Sequence, residues 1–334
     1  MRAIKITILI LFLISISIYK TNALTIKIGS IAPERSPWGT ALKELAQEWA
    51  KITDGKIRLS IYHGGIVGSE LDMIRKMRMG ILGGASLTNI GITQIYPDIY
   101  VLNTPFLFNS DKELNYILDK IRSTFEREVE KKGFKIIIWT MAGWVNLFTK
   151  NPVFLPEDLK NHKISFSTAT PKMEQAWKKS GYQIIPNELK DMMMALQSGM
   201  VNAFYLPPLI AGSGQYFPLA PNMCSLKVSP LLGGIILSNK TWGEIPNQYK
   251  KSMLSITNKI SERLYKETKK IEQDTIKMMQ EHGLVINHVP LDAVGKWRAE
   301  AAKGMDVLIG NAFSRKIYSQ VLKYLKNYRK NYDK

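Results

Sequence analysis

The sequence predicts an α/β protein of two domains, with one long helix that crosses both. Short apolar strands alternate with amphipathic helices from Leu24 onward, a pattern typical of parallel βαβ units in an open sheet. A second series of such units begins near Gly133. The segment 246–281 keeps a helical period of apolar residues. At 1.5 Å per residue it would extend about 50 Å, beyond the width of one small domain.

The first series of elements occupies residues 24–88. Strands are predicted at residues 24–30, 57–62 and 85–88, and helices at residues 38–52 and 69–79. The strands follow the alternation of apolar and polar residues, and the helices follow apolar residues three and four apart. Pro37 suits the first helical turn, Ser69 is suited to cap the second helix, and Gly80 ends it.

The second series begins at residue 133. Strands are predicted at residues 135–140, 163–166, 184–186 and 233–238, a helical turn at 156–160, and helices at 171–180, 188–197, 246–281 and 315–334. Pro246 suits the start of the long helix and Gly283 its end. The last strand is expected to return to the first series. The predicted domains are domain I, residues 24–144 and 232–271, and domain II, residues 145–231 and 272–334.

The first 23 residues have the layout of a secretory signal peptide. Residues 1–5 are basic, residues 6–19 form an apolar or hydroxyl run, and Ala23 provides a small residue for cleavage. The apolar run is about 14 residues long, whereas a membrane-spanning helix needs about 20. We therefore expect a cleaved signal peptide at residues 1–23 and a periplasmic or other extracytoplasmic location. An uncleaved anchor is the alternative.

The formal net charge of +18 is compatible with binding to nucleic acid or to an anionic membrane surface. However, the lysines are interleaved with glutamates along helices, and no stripe of arginines and aromatic residues suits base stacking. We therefore expect no nucleic-acid partner. Whether the basic surface meets an acidic protein or a membrane stays open. The single cysteine, Cys224, excludes an intrachain disulfide and is expected to be a partly buried, unreactive thiol.

The sequence offers little support for catalysis or metal binding. The four histidines form no zinc-binding motif, and one cysteine cannot provide a Cys-x-x-Cys pair. The segment Gly64 to Ser69 is rich in glycine but lacks the Gly-Lys-Ser/Thr ending of a phosphate-binding loop. No nucleophile and base are paired by a recognisable motif. We therefore expect a protein that is not an enzyme, with no metal and no cofactor.

Several segments, in their order along the chain, resemble the solute-binding proteins of TRAP (tripartite ATP-independent periplasmic) transporters. They are residues 57–80, 96–108, 139–149, 156–160 and 194–207. The resemblance covers nearly all of the chain after residue 23. It implies a two-domain periplasmic solute-binding protein fold, with crossing strands, a long helix and a ligand in the cleft between the domains. It also implies delivery of the ligand to membrane TRAP transporter subunits, driven by ion gradients.

The resemblance also places ligand-binding residues, and several positions depart from the family pattern. The family's carboxylate-binding arginine would fall where Ser165 stands. A second arginine would fall nearest Asn146, and an amide side chain would fall at Leu206. An arginine suits a carboxylate because its guanidinium donates two parallel charged hydrogen bonds. The departures argue against the usual acid ligands, because a buried carboxylate without a charged partner is costly.

Other family contacts would fall near Ile31 and Thr88, and a cleft phenylalanine near Leu189. Trp144, Tyr205 and Leu206 are equally compatible with the cleft and with the core. The predicted ligand-binding residues are Ile31, Trp38, Thr88, Trp144, Asn146, Ser165, Phe166, Leu189, Tyr205 and Leu206. We infer an atypical apolar cleft that binds a hydrophobic ligand. The alternative is a ligand-free structural or adaptor protein on the same fold, which acts through protein partners.

Overall fold

The computed structural model describes residues 23–167 and 169–332. Apart from Ala23, the predicted signal peptide at residues 1–23 therefore lies outside the described residues. Across the described part of the chain, no helix combines the length and the apolar content that a membrane span requires.

Strands and helices alternate through most of the chain, which confirms the predicted α/β class. The strands are β1 Leu24–Ser30, β2 Ile57–Tyr62, β3 Gly84–Thr88, β4 Phe134–Thr149, β5 Lys163–Phe166, β6 Gln183–Pro186, β7 Ala203–Leu206, β8 Asn222–Cys224, β9 Ser229–Ser238 and β10 Val285–Asn287. The α-helices are α1 Pro37–Ile52, α2 Glu70–Arg78, α3 Asn89–Ile92, α4 Asp111–Lys131, α5 Pro156–Leu159, α6 Pro171–Lys179, α7 Met192–Gln197, α8 Pro208–Ser213, α9 Asn239–Glu244, α10 Asn247–Glu281, α11 Leu291–Ala302, α12 Met305–Leu308 and α13 Arg315–Tyr332. Short 3-10 helices occupy Pro97–Asn103, Leu189–Asp191 and Phe217–Leu219.

The strands form a continuous sheet with two parallel ends and an antiparallel centre. Its order is β2-β1-β3-β9-β4-β7-β5-β6, with β8 paired to β4 and β10 paired to β8. β1 is parallel to β2 and β3, and β5 is parallel to β6 and β7. β4 and β9 run antiparallel through the centre. The pairing of β9 with β3 and of β4 with β7 joins the two parallel ends.

β4 is much longer than predicted, because it continues to Thr149 instead of ending near Thr140. Its register against β9 shifts twice, the second time next to Gly143, whose φ of +123° is rarely adopted by other residues. Such bulges bend a strand without ending it, so β4 reaches β7 at the far parallel end. β9 is also longer than predicted and begins at Ser229.

α10 is confirmed as the long helix that crosses both parts of the sheet. Its 35 residues extend about 50 Å, and it packs against α1, β4 and α8 along that length. Met253 and Ile260 are buried on its first half and Met279 on its second. The indole of Trp49 donates a hydrogen bond of 3.1 Å to Thr257, which attaches α10 to α1.

The short strands β8 and β10 were not predicted, and further differences concern helices. The predicted helix at residues 188–197 is divided into the 3-10 turn Leu189–Asp191 and α7, since a 3-10 turn commonly tightens the end of an α-helix. The sequence analysis did not identify α4, although Ser110 caps it. The predicted cap at Ser69 is confirmed, because its hydroxyl accepts a hydrogen bond from the main-chain N–H of Asp72.

The division into two domains stays a prediction. In that division α13 belongs to domain II and α4 to domain I, and the two helices pack against each other. Arg329 of α13 donates a hydrogen bond of 3.1 Å to the carboxylate of Glu113 on α4. The last helix therefore connects the end of the chain to the first series of elements.

Candidate functional site

The parallel strands end beside the central strands β4 and β9. β1 ends at Ser30 and β3 at Thr88 on one side, and β5 ends at Phe166 and β7 at Leu206 on the other. Ligands of open α/β sheets bind outside the carboxyl ends of the strands, where the strand order changes direction. We call this region the junction, and it is the candidate ligand site.

The two sides of the junction are in direct contact. Nε2 of Gln94, after α3, donates a hydrogen bond of 3.1 Å to the main-chain oxygen of Ala169, after β5. The side chain of Tyr100 is buried and hydrogen-bonded to Thr170, with Tyr205 close by. Burial raises the pKa of Tyr100 well above its ordinary value, so this hydroxyl stays neutral. The segments that follow β3 and β5 are thus held together by uncharged groups.

Asn146, Ser165 and Leu206 share one face of the sheet on the second side of the junction. Asn146 lies opposite Leu206 where β4 pairs with β7. Ile164 lies opposite Ala203 where β5 pairs with β7, which places Ser165 on the same face as Leu206. The fold therefore brings together three positions at which the family resemblance implies polar ligand contacts.

The polar side chains of this face are already bonded to the protein. Nδ2 of Asn146 donates hydrogen bonds of 3.0 and 3.1 Å to the main-chain oxygens of Cys224 and Leu226. Oγ of Ser165 accepts a hydrogen bond of 3.1 Å from Nδ2 of Asn187. The side chains of Asn146, Ser165 and Asn187 are all buried and uncharged. Cys224 is fully buried, where partial burial was predicted, and burial raises the pKa of its thiol to about 11.

Phe166 and Tyr205 lie on the opposite face, in an aromatic cluster. Their ring centres are 4.8 Å apart, and the ring of Trp177 is 5.9 Å from Phe166 and 6.2 Å from Tyr205. Burial raises the pKa of the Tyr205 hydroxyl above its ordinary value. These two predicted residues are therefore separated by the sheet from Asn146, Ser165 and Leu206.

On the first side of the junction, Thr88 is bonded to the carboxyl group of Glu70. The Thr88 hydroxyl donates a hydrogen bond of 2.9 Å to Oε2, and its main-chain N–H donates to Oε1. The same hydroxyl caps α3. Burial raises the pKa of Glu70 to about 7, although the hydrogen bonds from Thr88 oppose this shift. The first side thus holds a buried carboxyl group against the end of β3, and no cationic side chain bonds it among the described residues.

Ile31 and Trp38 follow β1 at the edge of the junction, and both are half-buried. Ile31 packs against the main hydrophobic core. Nε1 of Trp38 is buried and has no hydrogen-bond partner in the part of the chain that the structure describes. The same is true of Nδ1 of His63, directly after β2. Oδ1 of Asn89, directly after β3, is likewise buried without a partner among the described residues.

Trp144 and Leu189 lie in surroundings of their own. The indole of Trp144 is buried and donates a hydrogen bond of 2.6 Å to Asp111, while the ammonium of Lys227 lies 5.6 Å from its ring centre. Leu189 is 39% exposed at the start of its 3-10 turn. The ten predicted residues therefore occupy several distinct environments instead of one continuous wall.

Sequence reasoning missed Glu70, Tyr100 and Asn187, each of which contacts a predicted residue. Asn187 directly follows β6, and its place at the carboxyl end of a parallel strand was a signal that could have identified it. Tyr100 meets Thr170 only through folding, so no local pattern predicts it. Within residues 23–167 and 169–332, no group of histidine, cysteine or acidic side chains is arranged to hold a metal ion.

The fold and the junction define a solute-binding protein. The chain matches the family model "Bacterial extracellular solute-binding protein, family 7" over residues 28–309, so it belongs to this family. The match and the structural neighbours confirm the predicted TRAP solute-binding class. Members are periplasmic receptors that bind small molecules for transporters and are not enzymes.

Known relatives differ considerably in sequence. A "Solute-binding protein" of Chromohalobacter salexigens is 31% identical over 40% of this chain and 41% of its own length. "Solute-binding protein RD1_1052" of Roseobacter denitrificans is 23% identical over 58% of this chain and 59% of its own length. The chain thus matches two-fifths to three-fifths of the length of these relatives.

Solved structures agree over almost the whole fold. A TRAP periplasmic solute-binding protein from Chromohalobacter salexigens with bound D-glucuronate has a TM-score of 0.83 at 20% identity, covering 90% of this chain and 99% of that chain. One from Sulfitobacter with bound β-D-galacturonate has a TM-score of 0.82 at 18% identity, covering 91% and 99%. At this level of identity the likeness shows a shared fold.

Proposed function

We propose that this chain is the extracytoplasmic receptor of a TRAP-type transporter and that its cleft accepts a hydrophobic ligand. In this proposal residues 1–23 direct export, and membrane TRAP transporter subunits receive the ligand. The observation that carries the proposal is the uncharged face of Asn146, Ser165 and Leu206. The family resemblance implies two arginines and an amide at these positions.

An acid ligand has no cationic partner among the predicted residues. None of the ten is a lysine or an arginine, and Asn146 and Ser165 already have protein partners. On the facing side, Glu70 adds a carboxyl group. A carboxylate buried without a charged partner costs several kcal/mol, so the sugar acids seen in the solved relatives suit this site poorly.

A hydrophobic ligand needs mainly apolar contact area. Ile31 and Leu206 are half-buried and Leu189 is exposed, so each has apolar surface that a ligand can cover. At roughly 25 cal/mol per Å², 200 Å² of covered apolar surface contributes about 5 kcal/mol. The unpartnered nitrogens of Trp38 and His63 can orient one polar group of such a ligand.

The proposal is tested by identifying what the purified protein carries and what stabilises it. Molecules extracted from protein isolated from the periplasm are identified by mass spectrometry. Thermal unfolding is then followed with a sterol and a long-chain alcohol, and separately with D-glucuronate, sialate and succinate. We expect an apolar molecule to raise the unfolding temperature, while the acids leave it unchanged. Saturable stabilisation by an acid alone would contradict the proposal, and an empty cleft that no compound stabilises would favour the adaptor alternative.

A single substitution tests the role assigned to the missing arginine. Ser165→Arg introduces a guanidinium at the position where the family resemblance implies one. We expect this variant to gain stabilisation by D-glucuronate, with Ser165→Gln as a control of similar length without charge. If both variants fold and neither responds to the acid, Ser165 does not decide the ligand class.

A further inference from the structure

The outer face of the C-terminal helix α13 carries a row of lysines. Lys316, Lys323 and Lys330 are seven residues apart, and Lys326 lies between the last two. Residues seven apart return to the same face of a helix. All four side chains are exposed. At 1.5 Å per residue the row extends about 21 Å.

The packing of α13 fixes the direction in which these lysines point. Ile317, Val321, Leu325 and Tyr328 are buried on the inner face, and the helix packs against α4. Arg329 also turns inward, where it bonds to Glu113 and to the main-chain oxygen of Leu107. The helix therefore cannot rotate to pair its lysines elsewhere without losing this packing.

The charge of this row is not neutralised by the protein. α13 contains no aspartate or glutamate. Within the described ranges, none of the four lysines forms an ion pair. Other helices do pair their cations: Lys178 pairs with Glu174 on α6. Arg263 on α10 pairs with Glu44 on α1. Four uncompensated cations on one straight face attract an anionic surface, and the net charge of +18 adds to this attraction.

Two exposed apolar side chains accompany the lysines. Leu322 is 40% exposed in the middle of the helix, and Tyr332 is 64% exposed at its end. Tyr332 packs against Tyr116 of α4, over whose ring the ammonium of Lys120 lies at 5.4 Å. Lysine with adjacent tyrosine and leucine is the composition that suits the interface between lipid headgroups and water.

We propose that this face of α13 is a docking surface for membranes that contain anionic phospholipids. A membrane fits better than an acidic protein, because the face is a straight, convex row of flexible point charges. The bidentate recognition typical of a protein partner uses arginine. Of the two arginines of α13, Arg329 is turned inward, and only Arg315, at the start of the helix, is exposed. Each lysine near an anionic surface contributes about fivefold to the binding constant. Such weak, reversible attachment would hold a receptor close to the membrane that contains its transporter.

The proposal is tested by sedimentation of the purified chain with lipid vesicles. Vesicles of phosphatidylcholine with phosphatidylglycerol are compared with vesicles of phosphatidylcholine alone, at low and at high salt. We expect binding to the anionic vesicles only, weakened by salt. Changing Lys316, Lys323, Lys326 and Lys330 together to Gln should lower the binding constant by about 30-fold or more. Thermal unfolding confirms that the variant is folded.

A matched control removes the same charge from α10. Lys251, Lys259, Lys266 and Lys270 are also exposed, but acidic residues such as Glu262 and Glu267 are interspersed among them. Changing these four to Gln should alter vesicle binding by less than about threefold. An equal loss in both variants, or no binding to anionic vesicles by the native chain, would overturn the proposal. Binding of polyglutamate through the row, without vesicle binding, would assign it to an acidic protein instead.

Discussion

Two positions of β4, Trp144 and Asn146, lie two residues apart and have opposite electrostatic surroundings. The indole of Trp144 bonds a carboxylate within a charged cluster. The amide of Asn146 bonds two main-chain oxygens among uncharged neighbours. One strand therefore passes from a charged environment to a neutral one as it enters the second side of the junction.

The charged cluster connects β4 to the long helix. Asp111 accepts hydrogen bonds from Trp144 at 2.6 Å and from the hydroxyl of Tyr265 at 2.9 Å, and it pairs with Lys269. Although burial raises the pKa of Asp111, the hydrogen bond from Lys269 and the other partners together hold it below its ordinary value. Glu272, on the same helix, lies against Gly143. These charges are placed where the chain crosses the centre of the sheet.

The comparison shows where this molecule retains charge. Family members that bind acids need cationic groups at the strand ends. Here the buried polar side chains on the second side, Asn146 and Ser165, are uncharged and bonded internally, whereas charged pairs remain at the crossing. The uncharged strand ends suit a contact surface without water, and the charged cluster around Asp111 holds β4, α4 and α10 together.

The largest expected effect comes from breaking the charged cluster. Asp111→Ala removes the acceptor for Trp144, Tyr265 and Lys269 together, and leaves the buried indole N–H unpaired. We expect the free energy of unfolding to fall by about 3 kcal/mol. Urea unfolding measures this change. Lys269→Met is the control, because that lysine side chain is 56% exposed and its loss should cost less than about 1 kcal/mol. Similar losses for both variants would show that the cluster depends on the ion pair alone.

A smaller effect is expected at the neutral position. Asn146→Leu keeps the branched side chain of four heavy atoms but leaves the main-chain oxygens of Cys224 and Leu226 without these donors. We expect a loss of about 2 kcal/mol in the free energy of unfolding. Asn311→Leu, which removes one hydrogen bond at an exposed site, should change it by less than about 0.5 kcal/mol. If Asn146→Leu proves neutral, the amide is not needed to hold the loop before β9.

The same comparison shows what the sequence can predict. The strand at 163–166 and the long helix were predicted closely, because local alternation and helical period determine them. The extension of β4 beyond Thr140 was not predicted, because Gly143 locally indicates a break. The strand continues past this glycine because it pairs with β9 and β7. Long-range pairing is not encoded in a local pattern.

The ligand-binding role of the ten residues stays a prediction, but the structure shows how the sheet distributes them. Ser165 and Leu206 do lie at strand ends, yet Phe166 and Tyr205 lie on the other face. A shift of one residue along a strand reverses the face, so placements made without pairing information cannot separate neighbours. The contacts of Ser165 with Asn187 and of Thr88 with Glu70 arise from tertiary packing.

The smallest effect is a dependence of stability on pH at the charged cluster. Burial raises the pKa of Glu272 to about 7; the charge of Asp111 also raises it, while those of Lys227 and Lys269 lower it. The folded protein therefore binds more protons than the unfolded chain between about pH 4.5 and pH 7, and its stability falls as the pH rises through this window. Because Glu272 is partly exposed, we expect a contribution of about 1 kcal/mol. Glu272→Gln should remove this part of the pH dependence in urea unfolding. The part due to Glu70, whose pKa is also raised to about 7, should remain. An unchanged pH profile in Glu272→Gln would show that this carboxyl group titrates normally in the folded protein.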